Sequence, residues 1–216
     1  VNQFDHAPCP PGSACATATM QAVTQEALRE ARLGADALRD AALVIGTSSF
    51  LFAGEADYRR TLADTGEAVM PPLTPPGQAA LRVAGQLGIE GPVLTLTTAC
   101  SSSANALLVA TALLRRGEAR RALVIGVEGL SAIALSGFHS LMLLDPEGCR
   151  PFDAGRSGMQ IGEAVGAVLL EAGDAARPEN CSCVSGTSAI PGGRGGDRLL
   201  GGANLCDTHH MTSATP

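Results

Sequence analysis

Apolar residues in this chain recur either three and four positions apart or in unbroken runs, and the two patterns predict different elements. From Ser13 onward, Met20, Val23, Ala27, Leu28 and Ala31 follow helical spacing, which predicts an amphipathic surface helix with Ser13 as its cap. Gly34 is the residue suited to end it. Ala41, Ala42, Leu43, Val44 and Ile45 run without polar alternation into Gly46, the pattern of a strand buried on both faces in a parallel sheet. Residues 92–97, 122–127 and 164–171 repeat that pattern and predict three more strands, with a further one over 181–187. Residues 78–87 have helical spacing, and residues 102–116 are apolar almost all round, which predicts a helix buried on every side. Between residues 50 and 76 the prolines at 71, 72, 75 and 76 argue against a helix or a central strand and predict a long loop. Six glycines within residues 192–202 mark another loop. Strands alternating with helices place the chain in the α/β class.

Composition narrows the functional classes. At 216 residues, 45% apolar and only 17% charged, the chain has enough apolar surface for a real core and is not a disordered segment. Fifteen Lys+Arg against 21 Asp+Glu give a net charge of −6, and no basic cluster exceeds short pairs such as Arg115–Arg116 and Arg120–Arg121. A nucleic-acid partner is therefore not expected. No apolar run approaches the roughly 18 residues of a membrane span, and the first residues do not read as a signal peptide. Seven cysteines, an odd number, suit a reducing cytoplasm better than a disulfide scaffold. The start without Met and the stop at Pro216 read as a piece of something longer.

Cys100 carries the candidate chemistry. It stands between the strand predicted at 92–97 and the helix predicted at 102–116, where unpaired backbone N–H groups and the helix dipole favour a thiolate. That form is the nucleophile, and Ser101, Ser102 and Ser103 leave room for a substrate to approach. A packed, inert core cysteine is the competing reading of the same position.

The longer match separates the two. Thr97-Thr98-Ala99-Cys100-Ser101-Ser102-Ser103 resembles the nucleophile motif of β-ketoacyl-ACP synthases, the condensing enzymes of fatty acid and polyketide synthesis. Residues 149–167, beginning Cys149-Arg150-Pro151-Phe152-Asp153 and including Gly162-Glu163-Ala164, are similar to that family's C-R-P-F-D-x-x-R-D-G-x-x-x-G-E-G-x-G block. Cys206-Asp207-Thr208-His209-His210-Met211-Thr212-Ser213 is similar to its D-x-x-H-x-T-S segment. The resemblance implies a thiolase-like fold, here its N-terminal half: a mixed sheet with a buried helix after the nucleophile. Residues 1–189 would form that domain, and residues 190–216 would begin a truncated second half.

The resemblance also implies a ping-pong acyltransferase. Cys100 would take an acyl group from acyl carrier protein, and decarboxylative condensation with malonyl-ACP would give a β-ketoacyl-ACP in fatty acid or aryl-polyene-like polyketide synthesis. By the same resemblance the Cys100 N–H helps form the oxyanion hole, as suits a helix N-terminus. Phe138 matches an aromatic lining the acyl pocket, Ser213 with neighbouring Thr212 matches a hydroxyl contacting the phosphopantetheine arm, and His210 takes a pocket or structural role. No bound cofactor or metal is implied, and the phosphopantetheine arm enters as a substrate carrier. A homodimer or a heterodimer with a related condensing subunit is implied, with the strand at 122–127 near the interface. The family's two catalytic histidines and its lysine lie in the second half, so this chain alone is expected not to condense.

Ser157 and Ala164 depart from the family pattern, where Asp and Gly are usual. Chain-length-type partner subunits offer an alternative reading, but such subunits usually lack the cysteine. Cys181, Cys183, Cys206 and His209 or His210 could supply metal ligands, although the C-x-C spacing is short for a zinc knuckle and suits a strand face equally. A serine hydrolase is disfavoured because G-x-S-x-G is absent. The Gly192–Gly196 loop follows no nucleotide-binding spacing.

Overall fold

The computed structural model describes residues 13–48, 51–67, 75–172, 181–185, 199 and 201–204. Five helices, α1 (Ser13–Ala31), α2 (Leu51–Thr65), α3 (Pro76–Leu87), α4 (Ser102–Arg115) and α5 (Ala132–Ser140), accompany five strands. The strands are β1 (Ala42–Gly46), β2 (Val93–Leu96), β3 (Arg121–Glu128), β4 (Ala164–Ala172) and β5 (Cys181–Ser185), forming one sheet in the order β2-β1-β3-β4-β5. β1 runs parallel to β2 and β3, whereas β3–β4 and β4–β5 are antiparallel. The sheet is therefore mixed, as expected for a thiolase-like fold. β3 is hydrogen-bonded on both sides, so it offers no free sheet edge for the expected interface.

The unbroken apolar runs reflect helices on both faces of this sheet. Alternate residues of a strand point to opposite faces. Leu43, Ile45, Leu123 and Ile125 join Met20 and Leu28 of α1 and Val83 of α3 in one core. Ala42, Val44, Ala122 and Val124 join Ala106, Ala110 and Leu113 of α4 in the other. Each fully buried large aliphatic side chain contributes about 1.5–3 kcal/mol.

Three boundaries differ from expectation for physical reasons. α1 ends before Gly34, with Arg32 in the left-handed region at φ 54° and the Leu33 N–H donating to the Leu28 carbonyl at 3.0 Å. Leu28 and the partly buried Leu33 belong to the same core, and this apolar contact across the helix end sustains the cap on a non-glycine residue. Gly34 instead precedes a short 3-10 turn, Ala35–Leu38. Residues 51–65, expected as loop, form α2. The prolines that argued against a helix all lie beyond residue 70, and their effect is local. α3 starts with Pro76 and ends at Gly88 with φ 68°, the usual proline-first, glycine-last arrangement.

α4 is not buried on every side. Ala106, Ala110, Leu113 and Leu114 face the sheet, whereas Ser103 and Ala104 are exposed and Leu107, Leu108, Val109 and Ala112 are half-buried. Gly202 lies against the outward Leu108 side chain. The first turn of α4 meets the sheet at two glycines: a Cβ on Gly46 would lie 2.6 Å from the Ser102 carbonyl oxygen, and one on Gly126 2.6 Å from Ser103 Oγ. Gly46→Ala therefore drives a methyl into backbone and is expected to cost about 1–3 kcal/mol in urea unfolding. Gly85→Ala, in the exposed interior of α3 with nothing within 4 Å, should instead gain up to about 1 kcal/mol. Equal midpoints for the two variants would contradict the close docking.

Candidate active site

Cys100 lies in the 3-10 turn Ala99–Ser101 that joins the β2 side of the sheet to α4. Ala99 has φ 51°, a left-handed conformation that a residue with a Cβ adopts only when its surroundings hold it there. Those surroundings are polar. Ser102 Oγ accepts from the Thr98 N–H at 2.8 Å and donates to the Ala99 carbonyl at 2.6 Å. Ser101 Oγ donates to the Thr98 carbonyl at 2.7 Å, and Asn105 Nδ2 reaches back to Thr98 Oγ1 at 2.7 Å. The hydroxyls expected to leave room for a substrate thus also build the turn.

The Cys100 side chain is exposed, which removes the packed-core reading. It borders a cavity of about 480 Å³ whose walls include Ser48, Ser103, Leu107, Gly126, Glu128 and Gly166. Gly126 and Gly166 are register partners on β3 and β4. A Cβ on Gly166 would meet nothing within 4 Å, so the missing side chain there is cavity space. Ala164, the departure from the family's glycine, also lines the cavity.

Two carboxylates brace the region, and neither stood out in the sequence. Glu128, at the end of β3, accepts from the Ser48 N–H at 2.9 Å and ties the ends of two parallel strands together beside Cys100. The available signal was positional: 46–48 and 126–128 each begin with a glycine near the carboxyl end of a buried strand, where open α/β sheets place their sites. Glu55 of α2 accepts from Ser131 Oγ at 2.8 Å and from the Ala132 N–H at 2.8 Å to the same oxygen. It also pairs with Arg59 at 3.1 Å. Ser131 in turn caps α5 by accepting from the Ala134 N–H at 3.3 Å.

The other expected residues fare differently. Phe138 is half-buried on α5 and is not among the residues lining the Cys100 cavity, so the structure does not bring these two together. His210, Thr212 and Ser213 lie outside the described residues, as do Cys206 and His209. Cys181 and Cys183 fall two apart on β5, paired with Ala172 and Leu170. The block at 149–159 is an exposed loop tied by Arg150 Nη2 to the Gly155 carbonyl at 2.7 Å and by the Gly155 N–H to Asp153 Oδ1 at 2.6 Å. It returns to the chain after α5 through the Leu144–Met159 bridge, where Gly158 packs against the Leu143 carbonyl.

Residues 15–176 match the model of the β-ketoacyl synthase N-terminal domain. The chain belongs to the β-ketoacyl synthase family. It is 37% identical over 154 residues to Nodulation protein E of Rhizobium meliloti strain 1021, covering 68% of this chain and 38% of that protein. It is 30% identical over 206 residues to the chloroplastic 3-oxoacyl-[acyl-carrier-protein] synthase I of Arabidopsis thaliana, covering 87% of this chain and 41% of that one. The chain thus spans about two fifths of the length of these relatives. Among solved structures, a ketosynthase from Xenorhabdus doucetiae in complex with its chain length factor aligns with TM-score 0.58 at 27% identity, covering 82% of this chain and 47% of that chain. The fold is that of thiolase-like ketosynthases.

Within this β-ketoacyl synthase domain, Glu55 is expected to hold α5 through a charged cap. Glu55→Ala should destabilise the protein by about 1–3 kcal/mol, because it leaves the Ala132 N–H and the Ser131 hydroxyl without their charged acceptor. Amide hydrogen exchange at residues 132–135 would accelerate in the variant, and unchanged protection there would contradict the tether.

Proposed function

We propose that the chain carries the acyl-accepting half of a condensing enzyme, with Cys100 as the nucleophile. The observation that supports this most is the exposed Cys100 thiol, set on a left-handed turn at the head of α4 and beside a cavity. In this reading Cys100 Sγ attacks the carbonyl carbon of an acyl thioester on the phosphopantetheine arm of acyl carrier protein. A new C–S bond forms, the developing oxyanion is met by the Cys100 N–H at the helix start, and the old C–S bond breaks. The pantetheine thiolate leaves and takes up the proton that Cys100 gave up.

Condensation follows when malonyl-ACP loses carbon dioxide and its carbanion attacks the Cys100 acyl carbonyl: a C–C bond forms, the acyl C–S bond to Cys100 breaks, and the β-ketoacyl-ACP leaves the Cys100 thiolate free. That step needs groups to stabilise the enolate. No histidine or lysine lines the cavity among the described residues, and the 216-residue sequence holds no lysine. The chain is therefore assigned acyl transfer, and condensation is assigned to the enzyme complete with the histidines that the resemblance places in a second half. Thr212 and Ser213 are assigned to the phosphopantetheine arm, His210 to the pocket, and Phe138 to an acyl channel beyond the Cys100 cavity. Residues 1–189 form the nucleophile domain and residues 190–216 lead into the next. A cytoplasmic homodimer or a heterodimer with a related condensing subunit is the expected setting. The partner-subunit alternative is favoured by the chain length factor complex among similar structures, and opposed by Cys100 itself.

Acylation is tested with a hexanoyl-pantetheine thioester and peptide mass mapping. Cys100 is expected to acquire the acyl group at least about tenfold faster than the exposed Cys149, given its helix-start environment, and Cys100→Ala should abolish that adduct. Equal labelling of the two thiols would sink the assignment. Mixed with malonyl-ACP, the 216-residue chain is expected to release no carbon dioxide above background, and release would show that it contains the decarboxylating groups.

A further inference from the structure

Asn105, half-buried in the first turn of α4, directs both hydrogens of its amide at the turn that carries Cys100. Its Nδ2 donates to Thr98 Oγ1 at 2.7 Å and to Ser101 Oγ at 3.2 Å. Ser101 Oγ in turn donates to the Thr98 carbonyl at 2.7 Å. Thr98 and Ser101 flank Ala99 and Cys100, so the three side chains close a ring over the left-handed turn at Ala99, φ 51°. A second observation marks Asn105 out. Its Oδ1 is buried and has no hydrogen-bond partner among the described residues, an unfavourable state for a carbonyl oxygen. Asparagine is also a weak helix former, whereas its neighbours Ala104, Ala106 and Leu107 are strong ones. Neither helix stability nor polar satisfaction accounts for an asparagine here, and the donor pair aimed at the nucleophile turn does.

We propose that Asn105 is a positioning residue for acyl transfer: by tying Thr98 to Ser101, its amide holds Cys100 so that the thiolate and the Cys100 N–H meet the same acyl carbonyl. The inference rests on the reading of Cys100 as the acyl acceptor. Acyl transfer needs two parts of Cys100 at once, because Sγ must approach the thioester carbon while the N–H meets the oxygen on which charge develops. Their relative direction is fixed by the backbone between Thr98 and Ser101, the segment that the Asn105 amide ties. Asn105 neither gives nor takes a proton in that step. Alkylation of the same thiol by iodoacetamide forms a C–S bond, expels iodide and develops no oxyanion, so it needs only an accessible thiolate. The two reactions therefore separate positioning from exposure.

On the full 216-residue chain, Cys100 acylation is followed by mass spectrometry over a range of hexanoyl-pantetheine concentrations, with iodoacetamide alkylation of Cys100 measured in parallel. Asn105→Ala is expected to lower the saturating acylation rate about fivefold, the scale of one net hydrogen bond, while the half-saturating concentration and the alkylation rate stay within about twofold. Thr98→Val, which removes the acceptor with little change of shape, should slow acylation to a similar extent. The double variant should be little slower than either single one, because both remove the same bond. An unchanged acylation rate in Asn105→Ala overturns the proposal. So does an equal fall in acylation and alkylation, which marks a general loss of structure, or a change in half-saturating concentration alone, which marks substrate binding. Fully multiplicative effects in the double variant overturn it as well. Should Asn105→Ala not fold, Thr98→Val is judged by the same two rates, and acylation that falls no further than alkylation overturns the proposal. Failure of hexanoyl-pantetheine to label Cys100 in the unmodified chain would overturn the acyl-acceptor reading itself, a result distinct from loading that ignores Asn105.

Discussion

The contact on which the site depends is the seating of the first turn of α4 on two glycines of the sheet. Gly46 and Gly126 stand side by side in register on β1 and β3, and neither has room for a Cβ beneath Ser102 and Ser103. Helix and sheet can approach this closely only where both strands lack side chains. Because the helix start is pressed against the sheet, the chain arriving from β2 must turn sharply. It does so at Ala99, whose left-handed conformation turns the Cys100 side chain toward the cavity. Close packing on one side of the helix thus produces exposure of the thiol on the other.

Polar tethers then make the turn and its surroundings definite. Ser102 bonds both Thr98 and Ala99, and Asn105 reaches back one turn further. Glu128 binds the β1 end to the β3 end, and Glu55 binds α2 to the start of α5. The two glutamate tethers join elements distant in sequence, and both glutamates and Ser102 Oγ accept from backbone N–H groups left unpaired at an element end. A cavity built this way has fixed walls.

The sheet's mixed topology gives the cavity its depth. β1, β2 and β3 run parallel and finish at the same end, while β4 enters antiparallel, so that Ala164 and Gly166 at its start stand opposite the end of β3. The carboxyl ends of three strands and the amino end of a fourth meet where α4 begins. Family membership agrees with that architecture, and the chain spans about two fifths of its curated relatives' length.

All five strands and the helices α1, α3 and α4 were legible in the sequence, because runs such as 41–46 and 122–127 have no polar face and can only be strands covered on both sides. Cys100 was legible by its place between a strand and a helix and by the motif around it. Local pattern could not supply the end of α1, where a Leu28–Leu33 contact outweighs the preference for glycine, or α2, which adjoins a proline-rich stretch. Nor could it show that Ser102 and Ser103 sit on Gly46 and Gly126, that Glu128 shares a cavity with Cys100, or that Phe138 stands apart from it. The strands, three of the five helices and the candidate nucleophile follow from local pattern, since hydrophobic periodicity and helix-start chemistry are local. Which side chains meet was settled by the fold, since register, close approach and the glutamate tethers join residues up to 80 positions apart.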